Sequence, residues 1–321
     1  MENTTKSQIP GKRKYLFLSF KLLVIVLLAA STSLLSFAQN KVVRSGSTSI
    51  VPSLNAYSFN KLLLAKDEDG TPKFSLFQLL DWCAEQNIKA VDVTGYYFPG
   101  YPEVPSDDFI YAFKRKAFLL GIDISGTGIR NDFASPDPKV RQEGVELAKK
   151  WIVVASKLGA PVIRVFAGKI PEGYENKWDE VAEWMVECFK ECAEFGEKHG
   201  VIIGIQNHGD MIQTSEQCIK VMEAVDSKWA GIILDTGMFK TKDPYKDIKA
   251  VTPYAVNWQV KESVFGKDSE IRTDFLKIIK ILRENNYRGY LPVETLENKN
   301  KPYDPFVLVP EMIHELNNAM N

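Results

Sequence analysis

A single (β/α)8 barrel is the fold this sequence predicts, on three observations. First, eight short runs rich in β-branched residues lie between residue 53 and the end of the chain, separated by longer stretches with apolar residues three and four apart. Regular alternation of strand and helix means a parallel sheet covered by helices, and eight repeats suit a closed barrel better than an open, doubly wound sheet. Second, the glycine-rich phosphate loop that follows the first strand of the open alternative is missing. Third, residues 39–321 have the length of one such barrel, and no Ser/Gly-rich linker or low-complexity tract divides them.

The elements follow in order. The first strand is expected at Leu54–Phe59, and Leu76, Leu79, Leu80 and Cys83 mark the helix after it. Ala90–Val93 and Ile122–Ser125 are the next two strands. Val140, Gly144, Leu147, Trp151, Ala155 and Leu158 repeat at helical spacing, and Lys157-Leu158-Gly159 ends that helix with a basic last turn and a glycine. Strand four is Val162–Phe166. The clearest helix carries Trp178, Val181, Met185, Cys188, Cys192 and Phe195 on one face and stops at Lys198-His199-Gly200. Strand five, Ile202–Gln206, precedes Thr214-Ser215-Glu216-Gln217, whose hydroxyl and glutamine three apart form a capping box. Gly231–Asp235 and Ala255–Lys261 are strands six and seven. Phe275, Ile278, Ile279 and Leu282 form the helix before strand eight, Tyr290–Glu294.

Residues 1–38 read as a secretory signal. Basic Lys12-Arg13-Lys14 precedes an apolar run from Leu22 to Phe37, and Ser36-Phe37-Ala38 presents small residues where a signal peptidase cuts. A retained membrane anchor is the rival reading, which the hydroxyl residues around Ser31 and the cleavage-like site disfavour. No Cys lies near the site to carry a lipid. The expectation is a periplasmic or secreted protein with no stable membrane anchor after signal removal, and with 39–321 as one domain.

Cutting after Ala38 removes Lys6, Lys12, Arg13, Lys14, Lys21 and Glu2, which leaves 35 basic and 40 acidic residues. An acidic chain without a clustered basic face is a poor match for a phosphate backbone, so no nucleic-acid partner is expected. Cys83, Cys188, Cys192 and Cys218 all fall inside apolar helical patterns and read as buried small hydrophobes, without the pairing or His partners of a zinc site.

In a barrel of this type chemistry sits where strands run out into loops. Strands five to eight end at or near Gln206, Asp235, Gln259 and Glu294. Alternation puts Gln206 with His208, and Gln259 with Lys261, on shared faces. Polar side chains converging from four adjacent strands suit either one hard divalent cation or a polyol.

The segments IGIQNH (203–208), ILDTGM (233–238), NWQVKE (257–262) and GYLPVE (289–294) resemble the second half of the xylose isomerase-like sugar isomerase and epimerase family, which also holds AP endonucleases of the second type. That family's pattern is Glu-x-His closing strand five, Asp-x-x-His after strand six, His-x-Lys-Asp on strand seven and a Glu closing strand eight. The resemblance also reaches Asp92 on strand two, where the family often has a carboxylate. It implies metal ligands at Gln206, Asp235, Gln259 and Glu294. Asp235 and Glu294 match, whereas Gln206 replaces a Glu, Gln259 a His, and Met238 a substrate-contacting His. Two carboxylates and two amides would hold Mn2+ or Mg2+ only weakly, and not Zn2+ in its usual manner. A divalent ion is thus one expectation and a degenerate, metal-free site the other; no organic cofactor is expected.

The resemblance further implies proton movement next to a sugar carbonyl. Gln206 has no titratable proton in the useful range, so a symmetric two-carboxylate epimerisation is not supported. Glu294 is the candidate base, with His208 or Lys261 as the second titrating group, for isomerisation, epimerisation or β-elimination. Asp92, Tyr96, Arg164, Asn207 and Trp258 are the candidate substrate contacts, the aromatics by stacking on a sugar ring. Structural alternatives stand beside these. Asp235 suits a turn cap, the glutamines suit buried backbone groups, and Lys261 suits an ion pair with Glu262 or Asp235. The expected partner is a small, non-phosphorylated carbohydrate, with oligomeric state left open. The rival function is a non-catalytic carbohydrate-binding barrel. An endonuclease site would need more than the three His of this chain.

Overall fold

The computed structural model describes residues 41–209, 211–298 and 302–321; the signal segment expected at 1–38 lies outside them. Eight parallel strands close into one barrel in sequence order. They are β1 (Ser49–Asn55), β2 (Ala90–Thr94), β3 (Asp123–Gly128), β4 (Val162–Phe166), β5 (Ile202–Gln206), β6 (Ala230–Asp235), β7 (Ala255–Lys261) and β8 (Arg288–Glu294). The ring closes where β1 pairs with β8, from Ser49 opposite Arg288 to Leu54 opposite Val293. A helix follows each strand: α1 (Leu76–Glu85), α2 (Asp107–Leu119), α3 (Pro138–Leu158), α4 (Trp178–His199), α5 (Ser215–Val225), α6 (Pro244–Val251), α7 (Phe275–Glu284) and α8 (Pro305–Met320).

The helix punctuation acts as its chemistry predicts. Gly159 and Gly200 take left-handed φ of 80° and 68° just past α3 and α4, where a side chain would be strained. Thr214 and Gln217 close their capping box at α5, and Ser75 with Gln78 does the same at α1. All four cysteines are free and buried. Among the described residues no helix is long and apolar enough to cross a membrane.

The first strand departs from expectation: β1 is Ser49–Asn55, not Leu54–Phe59. Asn55 accepts a hydrogen bond from the Tyr57 backbone N–H at 2.9 Å and starts a 3-10 turn over Ala56–Phe59. Leu54, Ala56 and Phe59 are all buried, so the apolar run crosses the strand end and the turn alike. The true strand hides behind Pro52, which lacks a ladder donor, and behind polar Ser53 on the barrel's inner face.

Strand parity separates two environments. Residues such as Val91, Ile163, Ile205, Leu234 and Val293 turn outward and are buried under the apolar stripes of the helices. Inner positions toward the strand ends are polar, including Asp92, Arg164, Asn257 and Glu294, and all four are buried, while inward-facing Val162 and Ile233 meet over Gly204. The main core lies between barrel and helices, and the polar part of the barrel's interior is left to chemistry.

Candidate active site

Strand register assembles the floor of the site. Lys261 lies beside Glu294 across β7 and β8, and Asp235 beside Gln259 across β6 and β7. The Lys261 ammonium donates to Glu294 Oε1 and sits 3.3 Å from Asp235 Oδ2, with side chains 6%, 5% and 0% exposed respectively. Gln206 Nε2 donates to Asp235 Oδ2 at 2.7 Å and to Gln259 Oε1 at 2.6 Å. Asp235 Oδ1 accepts from the Gly237 N–H at 3.0 Å, so this residue caps the turn as well as facing the lysine. Burial pushes the Asp235 and Glu294 carboxyls above the usual range, against the pull of Lys261. Burial also works against the Lys261 charge, yet the two carboxylates outweigh it and hold the ammonium protonated. Two acids thus share one buried cation.

Above this floor is a cavity of about 850 Å³ whose wall includes Tyr57, Tyr96, Arg164, Phe166, His208 and Met238. The His208 ring lies 4.9 Å from that of Phe166. Its pKa is pushed down to about 4, by burial first and then by Lys261 and Arg164, so the imidazole is neutral near pH 7. Arg164 donates to the Ile129 carbonyl at 2.8 Å and to the Tyr96 hydroxyl at 3.3 Å. Gly128 makes room for it: a Cβ there would lie 2.8 Å from Arg164 Nε.

Of the expected residues, Gln206, Gln259, Lys261, Glu294, His208, Tyr96 and Arg164 line this cavity, with Asp235 directly behind Lys261. Three do not reach it. Trp258 is wholly buried on the outer face of β7 with its ring 5.7 Å from that of Tyr287, because the pleat that turns Gln259 and Lys261 inward turns Trp258 outward. Asn207 is outward for the same reason and clamps the Asp235 backbone, donating to its carbonyl at 2.9 Å and accepting from its N–H at 2.8 Å. Asp92 does point inward, yet it lies off the cavity wall, buried, where its Oδ2 accepts from Asn257 Nδ2 at 3.2 Å. Lys261 pairs with Asp235 and Glu294, while Glu262 pairs with Arg272 at 3.1 Å. Residues the sequence did not single out include Asn55, Tyr57, Thr94, Arg130 and Lys169. They stand at or just past the ends of β1 to β4, and the strand-end rule, applied to the first half of the barrel too, selects them.

The residues present do not fit a divalent cation. Asp235 Oδ2 already accepts from Gln206 and Lys261, Gln259 Oε1 from Gln206, and Glu294 Oε1 from Lys261. The oxygens at the centre of the cluster accept from Lys261 and Gln206, so an ammonium and an amide N–H stand where a cation would need open lone pairs. Among the described residues no group of three or more His, Cys, Asp or Glu is arranged to hold a metal ion.

Comparison with known proteins places these features in context. The sequence profile described as xylose isomerase-like TIM barrel matches residues 80–307. An inosose dehydratase of Clostridium tetani (strain Massachusetts / E88) is 24% identical over 180 residues, covering 49% of this chain and 58% of that protein. A probable endonuclease 4 of Thermotoga sp. (strain RQ2) is 28% identical over 135 residues, covering 39% of this chain and 45% of that protein. The chain thus spans about half the length of the curated relatives it matches. Among solved structures, D-psicose 3-epimerase with D-tagatose from Clostridium cellulolyticum H10 shares the fold, with a TM-score of 0.65 at 17% identity over 84% of this chain and 96% of that one.

Proposed function

The chain belongs to the family of xylose isomerase-like TIM barrels, and from that premise we propose that it is an exported enzyme of the sugar isomerase and epimerase kind. Its substrate is a non-phosphorylated sugar or keto-sugar, and its first step removes a proton from the carbon next to a carbonyl. The observation that carries this reading is the Lys261 ammonium held between two buried carboxylates on the floor of a cavity of about 850 Å³, ample for a sugar.

Lys261 engages Glu294 Oε1, which leaves Oε2 to take the proton. The electron pair of the broken C–H bond moves onto the carbonyl oxygen, and Lys261 donates to the enolate so formed. Asp235 anchors Lys261 and touches no substrate. Neutral His208 holds a hydroxyl of the sugar and passes its proton. Return of the proton to the neighbouring carbon isomerises the sugar, return to the same carbon epimerises it, and loss of a β-hydroxyl eliminates water. No divalent ion is needed for any of these steps.

Exchange of carbon-bound hydrogen in D2O tests the proposal. With keto-hexoses such as D-tagatose, proton NMR is expected to show loss of the signal next to the carbonyl, and Glu294→Gln is expected to slow it about 100-fold or more. A specific observation favours a second reading, since Gln206 and Gln259 stand where the family pattern has a Glu and a His. Keto-sugars, neutral and acidic, that bind the wild type without any exchange would establish a non-catalytic carbohydrate-binding barrel. Export is tested separately, by a mature N-terminus at Gln39 in the periplasmic or secreted fraction.

A further inference from the structure

The cavity wall carries more positive charge than the protein neutralises. Two of its lysines are paired, Lys61 with Glu297 at 2.6 Å and Lys261 with Glu294 and Asp235. Arg130, Arg164 and Lys169 also line the cavity, and among the described residues none has a carboxylate within 4.0 Å. Arg164 is the telling one, being only 2% exposed. A guanidinium taken out of water is normally given a carboxylate, because a buried charge without a counter-ion is unfavourable. Here its direct partners are one carbonyl, one phenol hydroxyl and the Phe166 ring face at 3.9 Å, while Nε has none; buried Asp92 feels the Arg164 charge without pairing with it, and burial pushes that carboxyl up to about 7.

The neighbouring charges reinforce it. Arg130 lies over the Tyr96 ring at 4.3 Å, and Arg164 lies 6.0 Å from the same centroid, so one tyrosine neighbours both guanidiniums. Lys169 follows β4 and lines the same wall. Asp132 is the acid nearest in sequence to Arg130 on that wall, and its Oδ1 accepts from the Ala134 N–H at 2.9 Å. The low pKa of His208, about 4, registers the field, with burial as its first cause and Lys261, Arg164 and Lys169 all contributing. These cations rise from β3 and β4, on the opposite side of the ring from β7 and β8, which bear Lys261 and Glu294.

We infer that the sugar taken by this site is an acid: its carboxylate binds Arg164, with Arg130 and Lys169 beside it, while its carbonyl end reaches Lys261 across the cavity. This rests on the reading of the cavity as a sugar site and adds the substrate class. A planar guanidinium fork matches a carboxylate in two parallel hydrogen bonds, and Arg164 donates only two of its five N–H groups within the protein.

Calorimetric binding to the full-length mature protein tests this with D-fructuronate and D-glucuronate as acids, each with its carboxylate at the far end from its carbonyl, D-fructose and D-glucose as neutral partners, and D-fructose 6-phosphate as the phosphate control. Both acids are expected to bind about tenfold tighter than the matched neutral sugars, with the margin shrinking in high salt. Arg164→Gln is expected to cut the acid-to-neutral ratio about tenfold, and Arg130→Gln, at an exposed position less prone to misfolding, to cut it several-fold. Acids that bind no tighter than neutral sugars, or do not bind, overturn the inference. So does an Arg164→Gln effect equal on both classes, or a sugar phosphate that outbinds both acids. Because only affinity is read, acid preference without hydrogen exchange would sink the enzymatic reading and leave this one standing.

Discussion

Replacing Lys261 by Met keeps the apolar stem and removes the cation from between two acids that are 0% and 5% exposed. Breaking a buried pair by deleting one partner destabilises a protein by about 3–5 kcal/mol, because the remaining charge stays out of water. The loss here should depend on pH, and its sign follows from proton uptake. Burial already raises the Asp235 and Glu294 carboxyls, and without the ammonium that opposed it they rise further. A carboxyl with a folded pKa above its unfolded value binds an extra proton on folding. Its contribution is fully present below the unfolded pKa, about 4, and is lost as pH rises through the folded value. Urea unfolding of wild type and Lys261→Met from pH 5 to 8 should therefore show a gap of about 3–5 kcal/mol at pH 8 that narrows to about 1 kcal/mol at pH 5. A gap that stays constant with pH, or one below about 1 kcal/mol at pH 8, would refute the shared-cation geometry.

Two further outcomes are expected. Burial raises Asp92 to about 7, with Arg164 opposing and Glu294 adding, so the wild type loses stability as pH rises from about 4 through 7. Asp92→Asn should flatten that slope and leave the variant about 1–3 kcal/mol more stable than wild type at pH 8, read as Tm against pH; a pH-independent difference would count against it. Trp258→Phe should lower stability by about 1–3 kcal/mol and leave sugar affinity unchanged in calorimetry, since the indole packs outward against Tyr287; weakened binding with unchanged stability would put the ring back in the cavity.

Much of the barrel was legible because its strands are short apolar runs buried on their outer faces. Val162–Phe166, Ile202–Gln206 and Ala255–Lys261 have the bounds their sequences predict. β1 was misplaced because its inner face is polar and a proline interrupts it, while the turn after it is apolar. Gln206, Gln259, Lys261 and Glu294, selected by combining strand ends with side-chain parity, line the cavity. Trp258 and Asn207 were misjudged by using the strand end without the parity, which sends both outward. The contact between Lys261 and Glu294, 33 residues apart, depends on the stagger of β7 against β8, a property of the closed ring that no local pattern records. Arg130 and Lys169 follow β3 and β4 in loops, where charged residues carry no distinguishing local signal.

The central claim is that the positive charge over Asp235 and Glu294 is the Lys261 ammonium and not a divalent ion. Electron paramagnetic resonance of Mn2+ titrated into the purified wild type reads this directly. The predicted result is a six-line spectrum of hydrated Mn2+ at the same amplitude with and without protein. Stoichiometric loss of that signal, restored by Asp235→Asn, would contradict it.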